Sequence, residues 1–382
     1  MPAPPAIAAA AVIASIGINT HIDFNAYGYQ NRTATAAAIN YLGVKNLRDS
    51  AANPSDIETW PQVARATGAK FDDFIGETSP AGMARQLALM PRLAQEGVLN
   101  AIEGGNEEDD AYAASQGNSV RFTALFQQRV YAMGRSLGLP VINMSFGSGW
   151  TAANDWHGDY DKVGNLSADA TYANAHTYPV AGQSTGATIR RLNDDARLAA
   201  ASRPVMTTEI GWNTGGKGPA VQGVVQAVLD GIKDGDARMY FYALFDDMSG
   251  KYGLMNADGS PRPAGAALHN LTTLLGDRGG RFTPGSLRYS LSGTVADDNT
   301  LLMQKSDGSF WLALWNEGAA SHQVTVTTGQ AVSRIAVFDP VSGTSPISSA
   351  GEANHVTVDL TEDPLLIEVV PMAPGSKTDA AR

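Results

Sequence analysis

Between residue 16 and about residue 276, short apolar runs bounded by Gly, Asn or Asp alternate with longer stretches whose apolar residues recur at helical spacing. The short runs predict strands at "IGINTHIDF" (16–24), "VKNLRD" (44–49), "KFDDFIG" (70–76) and "VLNAIEGG" (98–105). Four more follow at "PVINMSF" (140–146), "YANAHTYP" (172–179), "PVMTTEIG" (204–211) and "RMYFYALFD" (238–246). The longer stretches predict helices over 33–42, 54–67, 79–96, 118–137, 184–202, 217–234 and 262–276. The connection 147–171 carries no such pattern and reads as a long loop with at most a short helix.

Eight strands alternating with helices predict an α/β fold, a (β/α)₈ TIM barrel over residues 16–279. An open doubly wound sheet is the runner-up. It lacks its phosphate-binding turn, because no G-x-G-x-x-G follows the first strand. After "GDRGGRFTPGS" (276–286) the period changes to two, with turn signals such as Asp307-Gly308 between runs. Residues 280–372 therefore predict a C-terminal antiparallel β-sandwich of about eight strands. Within it Trp311 and Trp315 alternate on one strand and read as core. Residues 1–15 read as a Pro/Ala leader, and the polar 373–382 as a disordered tail.

The chain has 382 residues, 43% hydrophobic and 17% charged, enough to bury a large core. A net charge of −11 argues against nucleic acid as a partner, since phosphate recognition needs a basic face. The absence of cysteine removes disulfides and thiolate metal sites. The apolar stretch 6–16 is too short to span a bilayer and lacks a basic flank, so no membrane segment is expected. Met1 before "PAPPA" reads as a start placed where a signal peptide has been removed, which implies a secreted or periplasmic protein. An intact cytosolic N-terminus is the alternative. The oligomeric state is left open.

In a TIM barrel the functional side chains stand at the C-terminal ends of the strands. Those ends carry His21 and Asp23, then Arg48, then Asn106 and Glu107, then His176 and Tyr178. Glu209 and Trp212 follow, then Phe245, Asp246 and Asp247. Two carboxylates on strands four and seven of a barrel suit glycosidic bond cleavage, where one group protonates the leaving oxygen and the other attacks carbon or activates water. Blander readings stand beside this. Glu107 begins the acidic run "EEDD" and would serve as a loop acid. Glu209 would serve in a structural salt bridge, and Arg48 would pair with Asp49 or Asp23. His21 and His176 fit a structural role as well as a substrate one. Trp150, Trp156 and Trp212 fall in loops at the same end, where stacking on sugar and packing are both open. No metal is expected, since His157 and Asp159 near "THIDF" lack ligand spacing, and the EF-hand pattern at "NADG" and "GDYDKVGN" is incomplete.

Four segments resemble the clan A glycoside hydrolases. "GGNEEDD" is similar to their Asn-Glu signature, "VMTTEIGWN" to the strand bearing their nucleophile, and "AHTYP" to their His-x-Tyr segment. "YFYALFDDMSGKYGLMNADGSPRPAGAALHNL" is similar to their closing strand and helix. The appended sandwich resembles the layout of families 39, 30 and 79. The resemblance implies a carbohydrate substrate and no cofactor, with Glu107 as acid/base, Glu209 as nucleophile and Asn106 on the sugar 2-hydroxyl. Tyr178 and Arg48 would support the nucleophile, and His176 would stand on the substrate side or behind it. It also implies retention, with the carboxyls about 5–5.5 Å apart. At the last strand this chain has "ALFDD" where many members have Trp. Two rival readings keep the barrel. One is a non-catalytic glycan-binding protein, and the other a polysaccharide lyase using Tyr178 or His176 as base. The tryptophans of the long fifth connection point to several subsites and endo action.

Overall fold

The computed structural model describes residues 4–107, 109, 119–147, 159–179, 183–318 and 320–372. The chain divides into two compact units. One is Ala14–Gly265; in the other, the first residues up to Ile13 join the chain from Ala266 onward.

The larger unit is a parallel eight-stranded sheet: β2 (Ile16–Asn19), β3 (Asn46–Asp49), β4 (Lys70–Ile75), β5 (Leu99–Gly105), β6 (Val141–Ile142), β7 (Ala173–Thr177), β8 (Val205–Ile210) and β9 (Arg238–Phe241). Its order is β6-β5-β4-β3-β2-β9-β8-β7. A parallel bridge between Ile142 and Tyr172 brings its two ends together. This is the expected TIM barrel. The helices are α2 (Arg32–Leu42), α3 (Asp56–Thr67), α4 (Pro80–Leu87), α5 (Met90–Gln95), α6 (Val120–Leu137), α7 (Thr185–Ala199) and α8 (Pro219–Asp234). Asn31, Ser79, Ser119 and Ser184 cap four of them, each accepting a backbone N–H three residues on. Each cap fixes where a strand-to-helix loop ends.

Several strands are shorter than their apolar runs. Residues 22–24 form a 3₁₀ turn after β2, and β6 keeps only two residues of "PVINMSF". Burial extends an apolar run past the hydrogen-bonded ladder, because the loops at a barrel mouth are packed too. The single helix expected over 79–96 is two. Pro91 has no N–H to give the Leu87 carbonyl, so the helix breaks and restarts at Met90. In the fifth connection, residues 167–169 form one 3₁₀ turn, while 148–158 lie outside the described residues.

The second unit holds one continuous seven-stranded sheet folded into the sandwich: β1 (Ile7–Ala8), β10 (Tyr289–Ser292), β11 (Asp298–Gln304), β12 (Phe310–Asn316), β13 (His322–Phe338), β14 (Pro346–Leu360) and β15 (Leu365–Val370). A register shift between Thr327 and Val332 lets β13 pair with β10 through its first half and with β15 through its second. Leu312, Leu314, Val324, Val326, Ile335 and Ile367 fill its core, and Trp311 and Trp315 are buried as expected.

The segment read as a leader is structured. Ile7–Ala8 pairs with Met303–Gln304, so the sheet is mixed rather than purely antiparallel, and Ala9–Ala14 forms helix α1. An edge strand is where a proline-rich segment can join a sheet without losing ladder hydrogen bonds. The last helix, α9 (Pro263–Leu274), runs from the first unit into the second.

Inside the barrel Gly17 faces Tyr240 so closely that a Cβ there would lie 2.3 Å from the ring. The ring cannot retreat, since its hydroxyl is fixed between Asp72 and Arg238. Gly17→Ala is expected to cost about 1–3 kcal/mol through overpacking. Denaturant unfolding measures this, and an unchanged midpoint would refute the close fit.

Candidate active site

Glu107 follows β5 by two residues, beside Asn106. The Asn106 N–H is held by the Ile75 carbonyl at 3.1 Å, and the Glu107 N–H by Ser145 Oγ at 3.3 Å. Glu107 has φ +50°, a left-handed backbone that costs a non-glycine residue about 1–2 kcal/mol. Strain of this kind, tolerated where glycine would be cheaper, marks a side chain that the site requires. Gly147 makes room for it: a Cβ at 147 would sit 2.7 Å from the Glu107 carboxyl carbon.

Glu209 stands near the end of β8, in register with His176 of β7. The residue is 6% exposed, and its carboxylate is held from two sides. Arg48 Nη1 donates to Oε1 at 2.7 Å, and the Tyr178 hydroxyl donates to Oε2. Arg48 is itself buried and fully engaged. It donates to both oxygens of Glu103 at 2.8 and 2.7 Å, to Asn19 Oδ1 at 2.9 Å and to Asn106 Oδ1 at 2.6 Å, and it lies over the Phe74 ring. Burial alone would lower its pKa; the Glu103 and Glu209 carboxylates outweigh that and raise it, so the guanidinium stays charged. The pairing alternatives Asp49 and Asp23 are therefore not taken up. Asp49 instead accepts from Thr20, Ile22 and Ser50.

His176 bridges the two glutamates. Its Nδ1 is 2.7 Å from Glu107 Oε1 and 3.5 Å from Glu209 Oε2, and its Nε2 is 3.1 Å from Thr208 Oγ1. Thr208 donates to Asn174 Oδ1, and Asn174 Nδ2 donates to Glu103 Oε1 at 2.9 Å. A hydrogen-bonded ring thus runs from Glu107 through His176, Thr208, Asn174, Glu103 and Arg48 to Glu209. Burial pushes the His176 pKa down, but Glu209 and Glu107 push it up further, so the imidazolium is favoured. Burial and the neighbouring Glu209 charge raise the Tyr178 hydroxyl well above the ordinary phenol, which keeps it a donor.

These groups open into a cavity of about 460 Å³. Glu107, Glu209, Asn106 and Tyr178 line one part of its wall, and His21, Asp23, Phe24 and Ser50 another. Tyr242 and Tyr252 complete it, edge to face with Tyr178 and each other. Asp247 acts from behind. It accepts from Tyr242 at 2.7 Å and sits 3.0 Å from His21 Nε2. Burial would raise its carboxyl, yet the His21 ring and the Tyr242 hydroxyl hold it below the ordinary value.

Most of the sequence-predicted side chains therefore converge: Arg48, Asn106, Glu107, His176, Tyr178, Glu209, His21 and Asp247. Trp212 does not join them. It is buried, its ring against Gly223 of α8, and it does not line the cavity. Trp150 and Trp156 lie outside the described residues. At the last strand, Phe245 is buried and Asp246 pairs with Arg262, while Tyr242 four residues earlier takes the wall.

Glu103 was missed, although an acid in the apolar run "NAIEGG" has to find a buried cation, and Arg48 was the natural partner. Tyr242 and Tyr252 carry no comparable signal. Among the described residues, two groups of donor atoms lie within 4.8 Å of one another, as an ion would need: Glu107, His176 and Glu209, and His21, Asp23 and Asp49. In the first group the same atoms already bond to each other, to Arg48 and to Tyr178.

No protein-family model and no curated protein sequence matches the chain. Solved structures do match. A family 39 glycoside hydrolase from the gut symbiont Bacteroides cellulosilyticus is 14% identical, over 96% of this chain and 82% of that one, with a TM-score of 0.65. A monomeric β-xylosidase from Caulobacter crescentus is 13% identical, over 97% and 98%, at 0.60. The catalytic domain of the family 30 xylanase C from Talaromyces cellulolyticus is 15% identical, over 97% and 98%, at 0.56. The chain has the fold of the clan A glycoside hydrolases. At this identity the likeness is one of fold, and it covers barrel and sandwich together. No described helix of this hydrolase fold is long and apolar enough to cross a membrane.

Behind the Ser50 wall lies a buried acid, Asp73. Its Oδ1 accepts from the Ala51 N–H and from Gln86, which also reaches Ser50, and its Oδ2 has no partner. Burial raises its pKa from 3.8 to about 8. The folded protein thus holds a proton here that the unfolded chain gives up at lower pH. The resulting stability is complete below about pH 4 and fades as pH climbs through about 8. Asp73→Asn is expected to flatten the decline in urea midpoint between about pH 5 and 8. An identical slope in the variant would contradict the assignment.

Proposed function

We propose that the protein is a retaining β-glycosidase acting on a polysaccharide or oligosaccharide. The observation that carries this is the placing of Glu107 and Glu209 on one cavity, with carboxylate oxygens within 4.8 Å of each other. That separation suits direct attack by one carboxylate and leaves no room for a water between the pair and the sugar, as inversion requires.

Glu209 is the nucleophile. Arg48 and Tyr178 hold it in a single orientation. One of its oxygens attacks the anomeric carbon while the glycosidic C–O bond breaks, and Glu107 gives its proton to the departing oxygen. A water then replaces the leaving group. Glu107 takes its proton, the water oxygen bonds to the anomeric carbon, and the bond to Glu209 breaks. Asn106, its Oδ1 pinned by Arg48, presents its amide to the sugar 2-hydroxyl. His176, hydrogen-bonded to Glu107 and 3.5 Å from Glu209, positions Glu107 as it switches from acid to base. The β-xylosidase and xylanase among the similar structures support a neutral β-linked pyranose chain as substrate. Endo attack is the mode we favour.

A polysaccharide screen with product analysis tests the class, with new reducing ends expected from the wild type. Glu209→Gln is expected to lower kcat on the order of 10⁴-fold. Turnover that survives this change would remove the nucleophile assignment. Glu107→Ala is expected to lose about 10²–10⁴-fold on natural substrates and less on aryl glycosides, whose leaving group needs no proton. Added azide should restore the aryl glycoside rate and give the β-glycosyl azide. An α-azide product would mean inversion.

A further inference from the structure

The turn after β2 presents two aromatic rings to solvent beside the cavity. Phe24, which lines the cavity, is 42% exposed, and Tyr27 is 41% exposed. Phe24 stacks on His21 at 4.7 Å with one face, and Tyr27 stands edge-on to it, 6.4 Å away at 67°, so the two rings make an angled apolar surface. Single exposed apolar residues mean little. Here, however, the backbone holds them out at a cost. Asn25 and Tyr27 are both left-handed, at φ +50° and +57°. Arg32 clamps the turn by donating to the Tyr29 and Ile22 carbonyls and to Asn25 Oδ1. Next to the rings, Asp23 lines the cavity; burial raises its pKa, and its carboxyl shares a hydrogen bond with Asp49.

A pyranose ring offers an apolar C–H face and a rim of hydroxyl donors. An exposed aromatic face with a polar side chain beside it is what such a ring needs. Trp212, the described tryptophan expected to stack on sugar, is buried. We infer that Asp23, Phe24 and Tyr27 form a second sugar subsite, which takes the ring next to the one whose bond is cleaved. The subsite rests on the glycosidase reading and makes the protein prefer chains over monosaccharides.

The test uses the Glu209→Gln protein and calorimetric titration with the monosaccharide and the β-1,4-linked tetrasaccharide of xylose, glucose and glucosamine. At least one tetrasaccharide should bind more tightly than its monosaccharide. Adding Phe24→Ala is expected to shrink that gain about tenfold. Phe24→Tyr should keep it, which separates the loss of an aromatic face from damage to the fold. Tyr27→Asn, which suits the left-handed backbone, should shrink it as well, and Asp23→Asn should act in the same direction. An unchanged gain in both Phe24→Ala and Tyr27→Asn overturns the subsite while leaving the glycosidase reading intact, provided the wild type releases reducing ends. A protein that binds none of these sugars and cleaves no polysaccharide loses both.

Discussion

Arg48 is the constraint on which the rest of the barrel mouth depends. A guanidinium buried from water is tolerable only when its donors are all met, and here Glu103, Glu209, Asn19 and Asn106 meet them. Removing any one of these partners would leave a donor of the cation unpaired in a dry interior. The cation therefore ties β2, β3, β5 and β8 into one geometry. Two acids share it, but only Glu209 also faces the cavity. Glu103 neutralises the cation from within, so that Glu209 is oriented by Arg48 without being its sole counterion.

The ring that continues through Asn174, Thr208 and His176 extends this control to Glu107. Arg48 and His176 donate to the acids, and Thr208 and Asn174 each accept from one neighbour and donate to the next, so the rotamer of one carboxylate is felt at the other. Glu107 differs from Glu209 in how it is held. It lies beyond its strand on a strained backbone, in space left by Gly147, with His176 as its partner. One carboxylate is clamped by a cation and the other by a titrating imidazole. That asymmetry gives two chemically identical side chains different work in the glycosidase we propose.

Much of the barrel was legible because buried parallel strands must be nearly continuous apolar runs, and eight such runs with helices between them admit few closed arrangements. What went unread was set by finer physics. Pro91 split a helix that periodicity alone made single. The 5–8 segment, rich in proline and alanine, found a sheet edge that its composition did not advertise. The site was legible where an acid, an amide or a histidine ended a strand. It was not legible at Tyr242 and Tyr252, since aromatic residues at strand ends are equally at home in a core.

The sequence alone determined that acids 107 and 209 end two strands of one barrel, because strand ends can be read from where apolar runs stop. It also determined that Arg48 would need carboxylate partners, since burial allows no isolated cation. Only the tertiary structure decided that those partners are Glu103 and Glu209, that His176 spans the two glutamates, and that Trp212 turns inward while Phe24 turns out. Those choices depend on distances across the barrel and on which groups compete for the same space, and a one-dimensional pattern carries neither.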